Sequence, residues 1–175
     1  MRIYKDYKID IEYKFLVWIL KYNLRAFNSQ ALLLKGGYFM EYKFTHGNKE
    51  YILTKENCDG IFFEDENEVT GLSKDMILNA LNEGEEISFS NEYYADKCSC
   101  NTQEQINKSY RYFEYHFYIY TKNNEYIINT ISNEYKNTSF NKLFGLGKID
   151  DSYIVSVTVC PNCGTYSLYV DQCTV

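Results

Sequence analysis

From residue 40 onward, apolar and polar residues alternate with a period of two in most segments, as they do in strands whose two faces meet different surroundings. "MEYKFTH" and "KEYILT" flank Gly47-Asn48, a two-residue link of the kind that closes a β-hairpin. "EEISFSNEYYA", the long "SYRYFEYHFYIYT", "EYIINTIS" after the polar turn "KNN", and the pair "YIVSVTV" and "TYSLYV" continue the pattern. In the long strand Phe113, Tyr115, Phe117 and Ile119 share one face, which predicts core. Tyr112, Glu114, His116 and Tyr118 share the other, wetter face.

The period changes in "LSKDMILNALNEG". Leu72, Met76, Ile77, Ala80 and Leu81 recur on one helical face, Ser73 can cap the first turn and Gly84 can end the last. "NTSFNKLFGLGKID" predicts a helical turn between Asn141 and Phe144, whereas "TKENCDGIFF" and the acidic "EDENEVTG" read as a turn and a loop. The expected fold class is α+β: a mostly antiparallel sheet with one clear helix and a zinc-ribbon-like knuckle.

A chain of 175 residues, 45% of them hydrophobic, can bury one core and is short for two. The 19 tyrosines suit sheet edges, where the ring packs and the hydroxyl stays wet. The formal charge of −6 argues against nucleic acid as a partner, because that affinity comes mainly from Lys and Arg neutralising phosphates. A protein partner with a basic surface is the expected alternative.

The charge also changes sign along the chain. Residues 1–39 hold seven bases and three acids, a net of +4, which leaves 11 bases and 21 acids, a net of −10, for residues 40–175. Two readings account for this seam. One is a basic amphipathic N-terminal helix in "FLVWILKYNLRAFNSQALLL" that touches a membrane or a partner, although its apolar residues fall on most faces. The other comes from the genetic code: Lys35 to Met40 can be encoded AAA GGA GGA TAT TTT ATG, which places a purine-rich ribosome-binding sequence just before the Met40 codon. Met40 is then the expected start, residues 1–39 an N-terminal extension and residues 40–175 a single α+β zinc-binding domain. "FLVWIL" is too short to span a bilayer, so no transmembrane segment is expected.

The chemistry concentrates in the cysteines. "CPNCG" places Cys160 and Cys163 between two strand-like runs, with Gly164 free to adopt a positive φ and Pro161 stiffening the first half of the turn. This is the local form of a zinc knuckle, in which backbone amides point at sulfur. One knuckle supplies two ligands to a tetrahedral ion, and "KCSC" offers Cys98 and Cys100 in another inter-strand connection. Zinc on Cys98, Cys100, Cys160 and Cys163 is the expectation. It requires the fold to close the 59 residues between the pairs. The alternatives are iron on the same sulfurs, Cys173 replacing one ligand of the first pair, and a thiol–disulfide redox enzyme using the CPNC pair. Cys58 reads as a small buried residue. Without a secretory signal, the cysteines read as reduced and the protein as cytoplasmic.

No catalytic residue is assigned. His116 lies among aromatic residues within a strand, and His46 beside the first hairpin turn should face water. Neither has Ser, Cys or Asp at a spacing known from a triad, and Gly-rich phosphate loops and HExxH are absent from the sequence. A zinc hydrolase needs an open coordination position, which four thiolates do not leave. The acids Glu83, Glu85 and Glu86, and Glu64, Asp65, Glu66 and Glu68, read as solvated surface.

At "NEYYADKCSC", "FEYHFYIYTK", "NKLFGLGKIDDSYIVSV" and "CPNCGTYSLYVDQC" the chain resembles a family of small uncharacterised proteins from clostridia-like bacteria. The resemblance runs from about Met40 to the C-terminus. It implies neither an activity nor a ligand.

Overall fold

The computed structural model describes residues 40–64 and 68–173. The expected N-terminal helix and Asp65 and Glu66 of the acidic loop lie outside the described residues. The chain opens as expected with a hairpin, β1 (Glu41–His46) and β2 (Lys49–Thr54), in antiparallel register from Glu41↔Thr54 to His46↔Lys49. Gly47 adopts φ +62°, the left-handed conformation that such a turn needs and glycine adopts without strain.

The main sheet is built on β6 (Ser109–Lys122), whose 14 residues give it room for partners on both sides. One side pairs along residues 113–121 with β8 (Asp151–Val159), which pairs in turn with β9 (Tyr166–Gln172). On the other side β4 (Ser90–Tyr94) pairs with its first half and β7 (Glu125–Asn129) with its end, while the short β5 (Gln105–Ile106) folds back onto residues 109–110 on the β8 side. All these pairings are antiparallel.

One strand departs from the expectation. "CDGIFF", which locally has the look of a turn and loop, forms β3 (Cys58–Phe63) and lies parallel to β9 at the edge of the sheet. Its register slips between Cys58 and Ile61, at Gly60, so the local sequence lacks the clean alternation of a strand. Its ladder is supplied instead by β9, a segment distant in sequence.

Helix α1 (Lys74–Glu83) begins where the pattern places it, with the Ser73 hydroxyl accepting from the Met76 amide at 3.3 Å. Its buried residues are Ile77, Leu78, Ala80 and Leu81, so the covered face is rotated toward Leu78. Gly84 ends the helix without a left-handed conformation: its φ is −66°, and a Cβ there would press on the mobile tip of Ile87. The predicted turn at Asn141–Phe144 is α2 (Phe140–Gly145), capped by Ser139 and preceded by a 3-10 segment at Asn133–Asn137.

The core lies on one face of the main sheet. Phe113, Phe117 and Ile119 of β6, Val155, Val157 and Val159 of β8, and Tyr166, Leu168 and Val170 of β9 meet Ile77, Leu78 and Leu81 of α1 and the apolar side of the first hairpin. Phe44 stacks on Phe89 at 4.0 Å between ring centres. His46, expected in water, stacks on Phe113 at the same distance. The opposite face carries Tyr112, Glu114, His116 and Tyr118 of β6, as the alternation requires, but Glu114 is buried there with only 4% of its surface exposed. The described residues contain no helix long and apolar enough to cross a membrane.

Candidate metal centre

The β-sheet order brings the two cysteine pairs together. β4 and β8 flank β6 and both run antiparallel to it, so both end beside its first residues: Tyr94 pairs with Tyr110, and Val159 pairs with Phe113. The loop after β4 carries Cys98 and Cys100. The turn after β8 carries Cys160 and Cys163, and the 59 intervening residues form the strand and excursions that place the two loops side by side.

The four Sγ atoms lie within 4.8 Å of one another. The short contacts run across the pairs, Cys98–Cys163 at 3.7 Å and Cys100–Cys160 at 3.9 Å. A tetrahedral ion with metal–sulfur bonds of about 2.3 Å separates its sulfurs by about 3.8 Å. A disulfide would hold them at about 2.05 Å, and all four cysteines are free. Cys173 and Cys58 stand outside the cluster, Cys58 being buried as expected.

Each half of the site is held by its own backbone and by its neighbour. In the knuckle, the Gly164 amide donates to Cys160 O at 2.9 Å, the Cys160 amide donates to Thr165 O at 2.9 Å, and Gly164 has the expected positive φ of 78°. The amides of Asn162 and Cys163 face the Cys160 sulfur, and the amide of Cys100 faces that of Cys98. In the other loop Asn101 closes a turn onto Cys98 O at 3.0 Å with φ 57°. Buried Gln103 accepts from the Cys98 amide at 2.8 Å and donates to Arg111 O at 2.7 Å, which ties the loop to β6. Asn162 joins the loops by donating to Thr102 O at 2.8 Å. The first hairpin reaches the knuckle as well, since Lys49 Nζ and the Tyr51 hydroxyl both donate to Pro161 O, at 2.8 and 3.0 Å.

The sequence reading does not single out these supporting residues, yet one signal for them exists. Each pair ends in Cys-x-Thr, "CNT" and "CGT". The Thr102 hydroxyl stands 3.1 Å from Cys100 Sγ, and the Thr165 hydroxyl stands 3.0 Å from Cys163 Sγ. A hydroxyl directed at sulfur favours the thiolate and orients it, as outer-shell partners of metal ligands do. Thr165→Val, which keeps the shape and removes the donor, is expected to weaken metal affinity by about tenfold or more with little change in fold. Competition with a chromogenic chelator measures this, and an unchanged affinity would assign the hydroxyl to solvent.

Burial pushes the Cys98 and Cys160 thiols up, while the Thr102 hydroxyl and amide bring the partly exposed Cys100 down to about 6. The two directions have opposite consequences for the metal-free chain. Relative to an unfolded thiol near about 8.5, Cys100 binds fewer protons in the folded state, so its contribution grows as pH rises from about 6 to about 8.5. Cys98 and Cys160 bind more, so their contribution is complete below about 8.5 and is lost above it. The chelator-treated chain is therefore expected to be most stable near pH ~8.5 as far as these thiols decide. Metal loading should reverse the alkaline limb, because bound thiols are already ionised and only acid competes for them. Thermal melts across pH with and without metal test this, and parallel profiles would contradict it.

The model for a protein family of unknown function, DUF3785, matches residues 42–175. The chain belongs to this family. The resemblance noted from the cysteine-bearing and aromatic segments thus holds at the level of an uncharacterised family. Comparison with curated proteins and with solved structures gives no match.

The histidines require one correction. His116 does meet a serine: the His116↔Ser156 register places Ser156 Oγ 2.8 Å from Nδ1, and Glu114 Oε2 lies 3.2 Å from Nε2. Sequence spacing could not reveal this, because the serine belongs to the neighbouring strand. The array has the members of a nucleophile–base–acid relay. However, Ser156 lies mid-strand between β6 and β9, where the main-chain amides are committed to ladder bonds and leave no pair of donors for a developing oxyanion. What the array does accomplish is to hold Glu114 in place, with the Tyr94 and Thr158 hydroxyls donating to its other oxygen at 2.6 and 2.8 Å.

Proposed function

We propose that residues 40–175 are a protein-interaction module whose two cysteine loops are tied together by structural zinc, held by Cys98, Cys100, Cys160 and Cys163. The observation that carries this reading is the cross-paired geometry of the sulfurs, 3.7 and 3.9 Å apart, which suits a tetrahedral ion closed by four protein ligands. Zinc is preferred over iron because the two loops differ in spacing, C-x-C against C-x-x-C, whereas iron electron carriers usually use the longer knuckle twice. When bound, the ion adds a cross-link between loops that the chain alone joins only by hydrogen bonds.

The redox alternative fits the geometry less well. In a CxxC oxidoreductase the exposed thiol of the pair sits at a helix N-terminus that lowers its pKa. Cys160 and Cys163 occupy a turn between β8 and β9, Cys160 is buried with its thiol pushed up, and each has its short sulfur contact with the other loop. Four thiols of this kind belong in a reducing, cytoplasmic setting.

Four thiolates around Zn²⁺ contribute about −2 to a domain that already carries −10. A protein partner with a basic surface is the corresponding target, and nucleic acid is repelled at long range. Elemental analysis with thiol counting on the purified protein tests the metal assignment. One zinc per chain is expected, with Cys58 and Cys173 the only thiols outside the metal. A chain that starts at Met40 is expected to bind the same metal and to melt at the same temperature as the full chain. A metal-free protein with a readily formed Cys160–Cys163 disulfide would instead favour the oxidoreductase.

A further inference from the structure

The sheet face opposite the core is not an ordinary wet face. A groove of about 490 Å³ runs across it beside the cysteine loops, a volume in the range of ligand sites. Tyr94, Tyr112 and Tyr169 stand along the groove, and Tyr94 and Tyr169 keep 40% and 43% of their surface exposed. Tyr112 and Tyr94 are in edge contact at 5.6 Å, and Phe62 backs the Tyr169 ring at 5.4 Å, so the rings are held in place. Between them lie the carboxylates of Asp59, Asp171 and buried Glu114, while Lys97 is the one basic residue of the lining. The Cys98 and Cys160 side of the proposed zinc site borders the same groove and adds further negative charge.

Fixed aromatic faces beside carboxylates of one sign define a narrow class of ligand. An anion is repelled. A neutral apolar group would strip water from the Asp59 and Asp171 carboxylates and replace it with nothing. A cation gains both the ring quadrupole and the carboxylates, and a guanidinium gains most, because it is planar, lies flat on aromatic rings and offers paired N–H donors to a carboxylate. We propose that this groove is the receptor for an arginine side chain presented by a protein partner, seated among Tyr94, Tyr112 and Tyr169 and neutralised by Asp59 and Asp171, with buried Glu114 beneath them. The proposal rests on the reading of the domain as a module for a basic surface and names the place where that surface is read. Glu114 is oriented in advance, since two hydroxyls and His116 fix its carboxylate before any ligand arrives.

The test uses the full metal-loaded chain and three blocked pentapeptides, Ac-Gly-Arg-Gly-Arg-Gly-amide and its lysine and citrulline counterparts, titrated by calorimetry at low salt. Poly-L-arginine serves as a basic polymer without shape requirements. The arginine peptide is expected to bind about tenfold more tightly than the citrulline peptide, which keeps the shape and lacks the charge. The double variant Asp59→Asn/Asp171→Asn and, separately, Tyr169→Leu are each expected to lose most of that binding while their melting temperatures stay at the parent value. If poly-L-arginine binds parent and variants alike and the short peptides show no preference, the acidic surface attracts bases but the groove is not the receptor. Equal binding of the lysine and arginine peptides overturns the guanidinium assignment. If even poly-L-arginine fails to bind at low salt, the basic-partner reading falls, and the groove proposal with it.

Discussion

Cys160→Ser is expected to lower the stability of the zinc-loaded protein by several kcal/mol. Binding of structural zinc contributes roughly 10–16 kcal/mol to the folding of small metal domains, and a serine hydroxyl is a poor substitute for one of four thiolates. The site of the change magnifies the loss. Cys160 is 1% exposed, its amide and carbonyl both close the knuckle, and the knuckle is the corner where β8 turns into β9. A loosened corner also releases Asn162 from Thr102, and with it the bridge to the Cys98 loop. Cys58→Ser is the matched control. Cys58 is a buried thiol of the same core that stands apart from the cluster, so its cost should be that of a local core change. Melting temperatures measured with zinc present decide between the two. If Cys160→Ser melted with the parent, the structural role of the metal would be lost.

Phe113→Ala is expected to cost about 3–5 kcal/mol, the usual range for deleting a buried aromatic ring. Phe113 is 2% exposed and is the residue on which several parts of the structure meet. His46 stacks on one side of its ring, Tyr51 meets it edge-on at 5.3 Å, and the Arg111 guanidinium lies 5.7 Å from its centre. The ring therefore holds the first hairpin against β6. That hairpin carries Lys49 and Tyr51 onto Pro161 O, so its release is expected to weaken metal affinity as well as stability. Chemical denaturation gives the first quantity and chelator competition the second. Loss of stability with unchanged metal affinity would mean that the hairpin clamp on the knuckle is incidental.

Much of the main architecture is legible in local pattern because local physics produces it. Alternation places β1, β2, β4, β6, β7, β8 and β9, and it assigns the two faces of β6 to core and to the wetter side as found. The Ser73 cap and the i, i+3, i+4 spacing locate α1. β3 escapes the pattern because its pairing is parallel, remote and interrupted at Gly60, so nothing within its six residues distinguishes it from a loop. Gly84 falls in the expected place, but with φ −66° rather than a left-handed conformation, which a linear pattern does not reveal.

The site divides in the same way. The sequence by itself determined the local features: thiols at knuckle spacing, a glycine where the turn needs positive φ, and an excess of acids over bases in residues 40–175. Those properties belong to residues and their immediate neighbours, and they survive in any fold that forms the two turns. Only the tertiary structure decided that the sulfurs of Cys98, Cys100, Cys160 and Cys163 come together, that Thr102 and Thr165 face the sulfurs, and that Ser156 reaches His116. It also decided that Glu114, on the side expected to be wet, is buried at the floor of a tyrosine-lined groove. Each of these is a relation between strands, set by which edge of β6 a segment pairs with and in what register. Pairing energy is shared by the whole sheet, and no short stretch of the chain contains it.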